Sequence, residues 1–250
     1  MTRLSSVPAF RPLLLIIIGI LLLAFAGSCR KDNSLFGIRG SGNAVNETRA
    51  TGIFNGVSLS IDADVVLHTD SNCRVVITAQ QNILDVLETG LHGTELAIGF
   101  RENVRSHSNI TIHVYAPVYV LATISGSGSV SNADSIHTTD FETKISGSGN
   151  ITINYLDCST AKASISGSGN ITLSGQCQSA KYTISGSGSI RGFGLTGLHG
   201  DVNISGSGDT EINVTQTLNI RISGSGNVYY KNTPAIQVST SGSGNVTHVN

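Results

Sequence analysis

"ISGSGNIT" spans Ile145–Thr152 and returns at Ile165–Thr172, with close copies beginning at Ile124, Ile184, Ile204 and Ile222. Gly-Ser text ordinarily marks a flexible linker, but a linker keeps no register around its Gly-Ser runs. Here the SGSG units start at Ser125, Ser146, Ser166, Ser185, Ser205, Ser223 and Ser241, in steps of 21, 20, 19, 20, 18 and 18 residues. A fixed period near 20 is the signature of a solenoid.

The register extends beyond the glycines. The residue before each unit reads Ile124, Ile145, Ile165, Ile184, Ile204, Ile222, Thr240. The residue two beyond its last glycine reads Val130, Ile151, Ile171, Ile190, Thr210, Val228, Val246. Between these β-branched columns runs a polar one: Ser129, Asn150, Asn170, Ser189, Asp209, Asn227, Asn245. Alternation along a strand places the Ile column on an inward face. A single coil cannot bury its isoleucine, so the stack is the stable unit. The expected fold is all-β: a parallel β-helix, or β-solenoid, of about 18–21 residues per coil, right-handed by the crossover rule. SGSG is its corner, and the Asn/Ser column can form hydrogen-bond ladders along the axis. The corner glycines are Gly126 and Gly128, Gly147 and Gly149, Gly167 and Gly169, Gly186 and Gly188, Gly206 and Gly208, Gly224 and Gly226, Gly242 and Gly244. Glycine is expected there for two properties together: it takes backbone angles closed to other residues, and it lets neighbouring coils approach closely.

Composition agrees. The 250 residues are 39% hydrophobic and 5% aromatic, without Trp, and Gly, Ser, Thr and Asn dominate the polar remainder. That mixture favours strands and tight corners. The formal charge of −1 offers no basic face, so no nucleic-acid partner is expected. Acidic residues are too scattered for a calcium-binding surface.

The first segment reads as an address. Arg3 and Arg11 precede the apolar run Leu13–Phe25, which at thirteen residues is short of the ~20 a membrane span needs. This is the pattern of a secretory signal. "AGSC" (Ala26–Cys29) resembles the lipobox of bacterial lipoproteins, which implies cleavage before Cys29 and lipid on its thiol and new amine. The alternative is a soluble secreted protein cut near Ser28. The expected organisation is a lipoprotein signal peptide over 1–28, a lipidated cysteine and tether over 29–47, and a solenoid over 48–250. Within the solenoid, 48–120 forms irregular coils or a cap and 121–250 the regular SGSG coils. Gln81–Gly90 reads as a helical turn, and the last coil as exposed.

"RATGIFNGVSLSIDADVVLHTD" from Arg49, "CRVVITAQQNILDVLETGLHGTELAIGF" from Cys73 and "NITIHVYAPVYVLATISGSGSV" from Asn109 together resemble the head GIN domain family of auto-transporter adhesins. The resemblance covers about 39–250. Its features come in order: Phe54-Asn55-Gly56, the "ILDVLET" segment, a strand ending in Ala116-Pro117, then the ISGSG repeats. It implies a β-helix and a role in adhesion, and it transfers no catalytic residue. A C-terminal run of the ~10-residue alternating strands of a membrane barrel is not seen, so lipid on Cys29 is the expected anchor.

Other chemistry is thin. Cys158 and Cys177 each lie eight residues before an SGSG unit, so they share a register on neighbouring coils. At ~4.8 Å they fall within disulfide reach; a bridge and two stacked thiols both remain open, and Cys73 is left unpaired. No CxxC and no HExxH occur, and the histidines show no close cluster, so neither a metal nor a cofactor is expected. SGSG lacks the Lys-Ser/Thr ending of a phosphate loop. Asp209 and Glu211 face one side of a strand, as a glycosidase pair would, but a solvated edge is the simpler reading. Tyr229 and Tyr230, with Tyr182 in register nearby, could offer a stacking surface for a sugar. The reading that remains is a non-enzymatic outer-membrane lipoprotein, surface-exposed or periplasm-facing, presenting a repetitive surface to a glycan or protein. A periplasmic structural or envelope-stress protein and a carbohydrate-active β-helix enzyme are the alternatives.

Overall fold

A computed structural model describes residues 37–250. The signal peptide and Cys29 lie outside the described residues. The chain is all-β and winds into a solenoid of about six turns. Strands Asn150–Ile165, Asn170–Ile184, Ser189–Ile204 and Thr210–Ile222 each make most of one coil. Each is parallel to the next. The columns legible in the sequence are the register of this ladder. Ile124 pairs with Ile145, Ile145 with Ile165, and so on through Ile184, Ile204 and Ile222 to Thr240. Every isoleucine of that column is buried. Burial of a branched aliphatic side chain is worth ~1.5–3 kcal/mol, so the column forms a continuous spine of the core.

Coils of 18–21 residues stack without losing register because the length differences are absorbed away from SGSG. The ladder slips between Ile153 and Leu156, between Thr172 and Ser174, and between Gly192 and Thr196. At the first slip Tyr155 is extruded into solvent with a φ of 56°. This is a β-bulge at the rim of the coil.

At SGSG itself the coils are tied by backbone bonds. The Ser168 N–H donates to Gly147 O at 3.0 Å and the Asn170 N–H to Gly149 O at 3.2 Å. No SGSG glycine has a positive φ. Of the two properties of glycine, only close approach is therefore in use: a Cβ on Gly167 would stand less than 3.0 Å from Gly147 O.

The regular ladder continues N-terminally past the first SGSG, at Ser125. Leu59 pairs with Ile124 and Val65 with Val130, so Ser60-Ile61-Asp62-Ala63 forms an SGSG corner without its sequence. Outside this coil the order of the chain reverses. Strands Glu95–Phe100 and Thr111–Ala116 are laid parallel on the earlier Gly56–Leu59 and Asp64–Thr69. Antiparallel strands then close the end: Leu87–His92 on Glu95–Phe100, and Arg74–Gln80 between Thr111–Ala116 and Ala44–Ala50. The helical turn expected over Gln81–Gly90 is confined to Gln81–Leu84, and Leu87–His92 is a strand. Arg49 locks this end by donating to Leu84 O and Leu87 O at 3.0 and 2.7 Å while paired with Glu47 at 2.6 Å. At the other end Ala235–Thr240 is exposed along its whole length.

One interior position is unusual. Tyr182 occupies the column otherwise filled by Ala122, Thr143, Ala163, Val202 and Ile220, and is fully buried. Its hydroxyl has no partner. Room for it comes from Gly192 on the next coil, where a Cβ would lie 2.6 Å from the hydroxyl. A buried unsatisfied hydroxyl costs ~1–3 kcal/mol. Tyr182→Phe is therefore expected to raise stability by about 1 kcal/mol in denaturant titration, and an unchanged or lower midpoint would contradict this account of the core.

Candidate functional site

The alternation that buries the isoleucines turns polar residues outward on the strands that follow the corners. Ser131, Thr152, Thr172, Arg191, Glu211, Tyr229 and Thr247 are register partners, each to the next. The row runs on through Val66 and His113 into the antiparallel cap at Val76 and Thr48. Neighbouring strands lie ~4.8 Å apart, so one face carries a straight row of side chains from end to end.

Beside it runs the polar column, and side-chain hydrogen bonds link parts of it along the axis. Asn170 Nδ2 donates to Asn150 Oδ1 at 3.0 Å. The Asn227 backbone N–H and Nδ2 both donate to Asp209 Oδ1, at 2.9 and 3.0 Å, and the Asn245 N–H to Asn227 Oδ1 at 3.1 Å. Toward the cap, Ser129 Oγ donates to Asp64 Oδ1 at 2.6 Å. These bonds hold side chains that would otherwise lose rotamer freedom on meeting a ligand, and such preorganisation lowers the cost of binding.

The sequence-derived candidates divide. Asp209 is engaged by Asn227 in this ladder rather than aimed with Glu211 at a common point. Tyr182 is interior, which removes it from any stacking surface. Tyr230 packs against the core with its ring centroid 5.1 Å from that of His248, leaving Tyr229 as the outward member of the pair. Cys158 and Cys177 are register partners and both are free thiols, as is Cys73.

The structure also assembles a cluster where no grouping of histidines was expected. His68 Nε2 and His113 Nδ1 are 2.9 Å apart. The His68 ring stacks on Tyr115 at 4.7 Å between centroids, and the Arg74 guanidinium lies 3.7 Å from the Tyr115 centroid. Asp70 pairs with Arg74 at 2.8 Å. Asp134 accepts from the Thr69 N–H at 3.0 Å, with its carboxylate 3.7 Å from His68 Nδ1. In retrospect the signal was the alternation of "DVVLHT" against "ITIHVYA", which pairs His68 with Tyr115 and puts His113 one step away. Among the described residues no group of three or more His, Cys, Asp and Glu could hold a metal.

Burial lowers the His68 pKa below its ordinary 6.5, reinforced by His113 and opposed by Asp134. The unfolded chain then binds the extra proton first, so this group's contribution is present above pH 6.5 and is lost as pH falls below it. Replacing His68 with Gln is expected to flatten that part of the stability profile between pH 7.5 and 5.5. Equal slopes for wild type and variant would refute it.

A family model described as "Putative auto-transporter adhesin, head GIN domain" matches residues 53–234. No curated protein matches the chain. Solved structures share the fold at 22% identity. A "putative adhesin" of Bacteroides fragilis superposes with a TM-score of 0.81 over 85% of this chain and 100% of its own. A "putative lipid binding protein" of Parabacteroides distasonis gives 0.72 over 85% and 99%. A "putative adhesin" of Parabacteroides merdae gives 0.68 over 86% and 99%.

Proposed function

The chain belongs to the family described as "putative auto-transporter adhesin, head GIN domain", and from that premise we propose that it is a non-enzymatic, lipid-anchored protein of the cell envelope that displays its solenoid as a recognition surface for a glycan or protein. The observation that carries this reading is the outward row from Thr48 to Thr247 with its bonded Asn/Asp ladder. It is a long, regular, largely polar face, and part of the column beside it is already held in place. Extended solenoid faces are binding surfaces by virtue of their shape. A hydrolytic role has less support, because the Asp209 carboxylate is occupied by Asn227. The name of the Parabacteroides distasonis relative raises lipid binding. In this chain the interior is filled by the Ile columns and Tyr182, which leaves them where an acyl chain would have to lie.

Anchoring rests on the lipobox at Cys29, and among the described residues no helix is long and apolar enough to cross a membrane. Two or more acyl chains hold a protein stably on a bilayer where one does not. Cys29→Ala is expected to move the protein from the membrane fraction to the soluble fraction, with loss of palmitate labelling. A variant that stays in the membrane fraction sinks the lipoprotein reading.

A further inference from the structure

Cys158 and Cys177 take no part in the outward face, and they share a register in the coil interior. They are Cα partners on adjacent parallel coils, one ladder spacing or ~4.8 Å apart. Disulfides take Cα separations of ~4.4–6.8 Å. Both side chains point inward, yet they are not sealed. An open groove of about 520 Å³ is lined by both cysteines together with His137, Asp157, Gln176 and Leu198. The coil beyond Cys177 carries Gly197 at this level, where an added Cβ would already lie 3.3 Å from the Cys177 sulfur. Glycine there leaves the sulfur room to rotate toward Cys158.

We propose that Cys158 and Cys177 are a modification site, a reversible disulfide between two coils that is closed by a low-molecular-weight disulfide entering this groove. The Cys177 thiolate attacks one sulfur of the incoming R–S–S–R, and the departing R–S⁻ takes up the proton that Cys177 lost. Cys158 then attacks the Cys177 sulfur of the mixed disulfide and expels the second R–S⁻, which takes up the Cys158 proton. Two protein thiols are oxidised, one small disulfide is reduced to two thiols, and no other oxidant is needed. Burial raises both thiols, and the neighbouring carboxylates of Asp157 and Asp140 raise Cys158 further, so the first attack is assigned to Cys177. Both stay protonated at neutral pH, so closure is slow there and accelerates about tenfold per pH unit as thiolate forms. Once made, the bond ties one coil to the next, and the solenoid can no longer unspool between them.

Whether cells close the bond rests on the envelope location proposed above, since exported proteins meet oxidising conditions. The chemistry of the pair does not, so its test is made on the purified full-length chain. The reduced protein is exposed to oxidised glutathione at pH 7, 8 and 9, blocked with N-ethylmaleimide and digested with trypsin without reduction. Peptides 145–162 and 163–181, which end at Lys162 and Lys181, are expected as one linked species two hydrogens lighter than their sum, forming faster at each higher pH. The oxidised chain should melt roughly 5–10 °C higher than the reduced one. Cys158→Ser should lose both effects and retain glutathione on Cys177. Blocked thiols at both positions after oxidation at pH 9 would overturn the proposal, as would a bond to Cys73 or between two chains.

Discussion

Gly167→Ala is expected to destabilise the protein by roughly 3 kcal/mol or more, enough to lower the denaturation midpoint sharply, while Ser168→Ala beside it stays within about 0.5 kcal/mol. The size of the effect follows from what the new methyl would meet. Its neighbours are the carbonyls of Gly147 and Ser146 on the preceding coil, both closer than 3.0 Å. Those are backbone atoms held by the ladder, including the bond from Ser168 to Gly147, and they cannot rotate away as a side chain would. The comparison also separates two accounts of the repeat. Alanine at a glycine with negative φ and free space gains ~0.4–1 kcal/mol by restricting the unfolded chain. Gly90 is such a position, with nothing within 4 Å of an added Cβ, so Gly90→Ala should be neutral or mildly stabilising. Similar outcomes at Gly90 and Gly167 would mean that the coils are not in close contact at SGSG.

Ile165→Ala comes next in size, at about 2–5 kcal/mol. Ile165 is 1% exposed and stacks between Ile145 and Ile184. Its Cγ2 methyl packs beneath the second corner glycine of the following coil, 2.9 Å from where a Cβ on Gly188 would sit. Alanine leaves a void that rigid corners on both sides cannot collapse into. Adding a methyl at Gly188 would not refill it, because Gly169 O blocks that position as well. At the end of the same column Thr240 is exposed, so Thr240→Ala should shift the denaturant midpoint by less than about 0.5 kcal/mol. Equal losses at Ile165 and Thr240 would contradict a core that runs down the axis.

What could be read from the text was what the repeat enforces. The Ile and Val columns, the polar column and the pairing of Cys158 with Cys177 all follow from spacing, because in a parallel stack the sequence period is the ladder register. Reading failed where geometry is conserved without its letters. Ser60-Ile61-Asp62-Ala63 makes the same corner as SGSG, and on the cap side of it the chain folds back, so the close-approach argument for glycine no longer applies. Tyr182 looked outward by proximity to Tyr229 and Tyr230, but its own register placed it inside. Its burial depends on Gly192, a residue no local pattern connects to it. The His68–His113 pair joins residues 45 apart across a reversal in chain order, so the alternation of the two strands could pair them only once that reversal was known. The glycines were legible, and of the two reasons expected for them the carbonyls of the neighbouring coil bear out close approach while the ordinary backbone angles rule out the other.

The reading of this chain as a displayed recognition module meets its most direct test in labelling intact cells with a membrane-impermeant amine reagent. Lys162 and Lys181 stack on adjacent coils with exposed side chains, so any reagent that reaches the solenoid reaches them. The account predicts modification of both lysines on whole cells, at levels close to those after lysis, while a periplasmic control protein stays unlabelled. Labelling that appears only after the outer membrane is broken would contradict surface display and favour a structural protein of the periplasm.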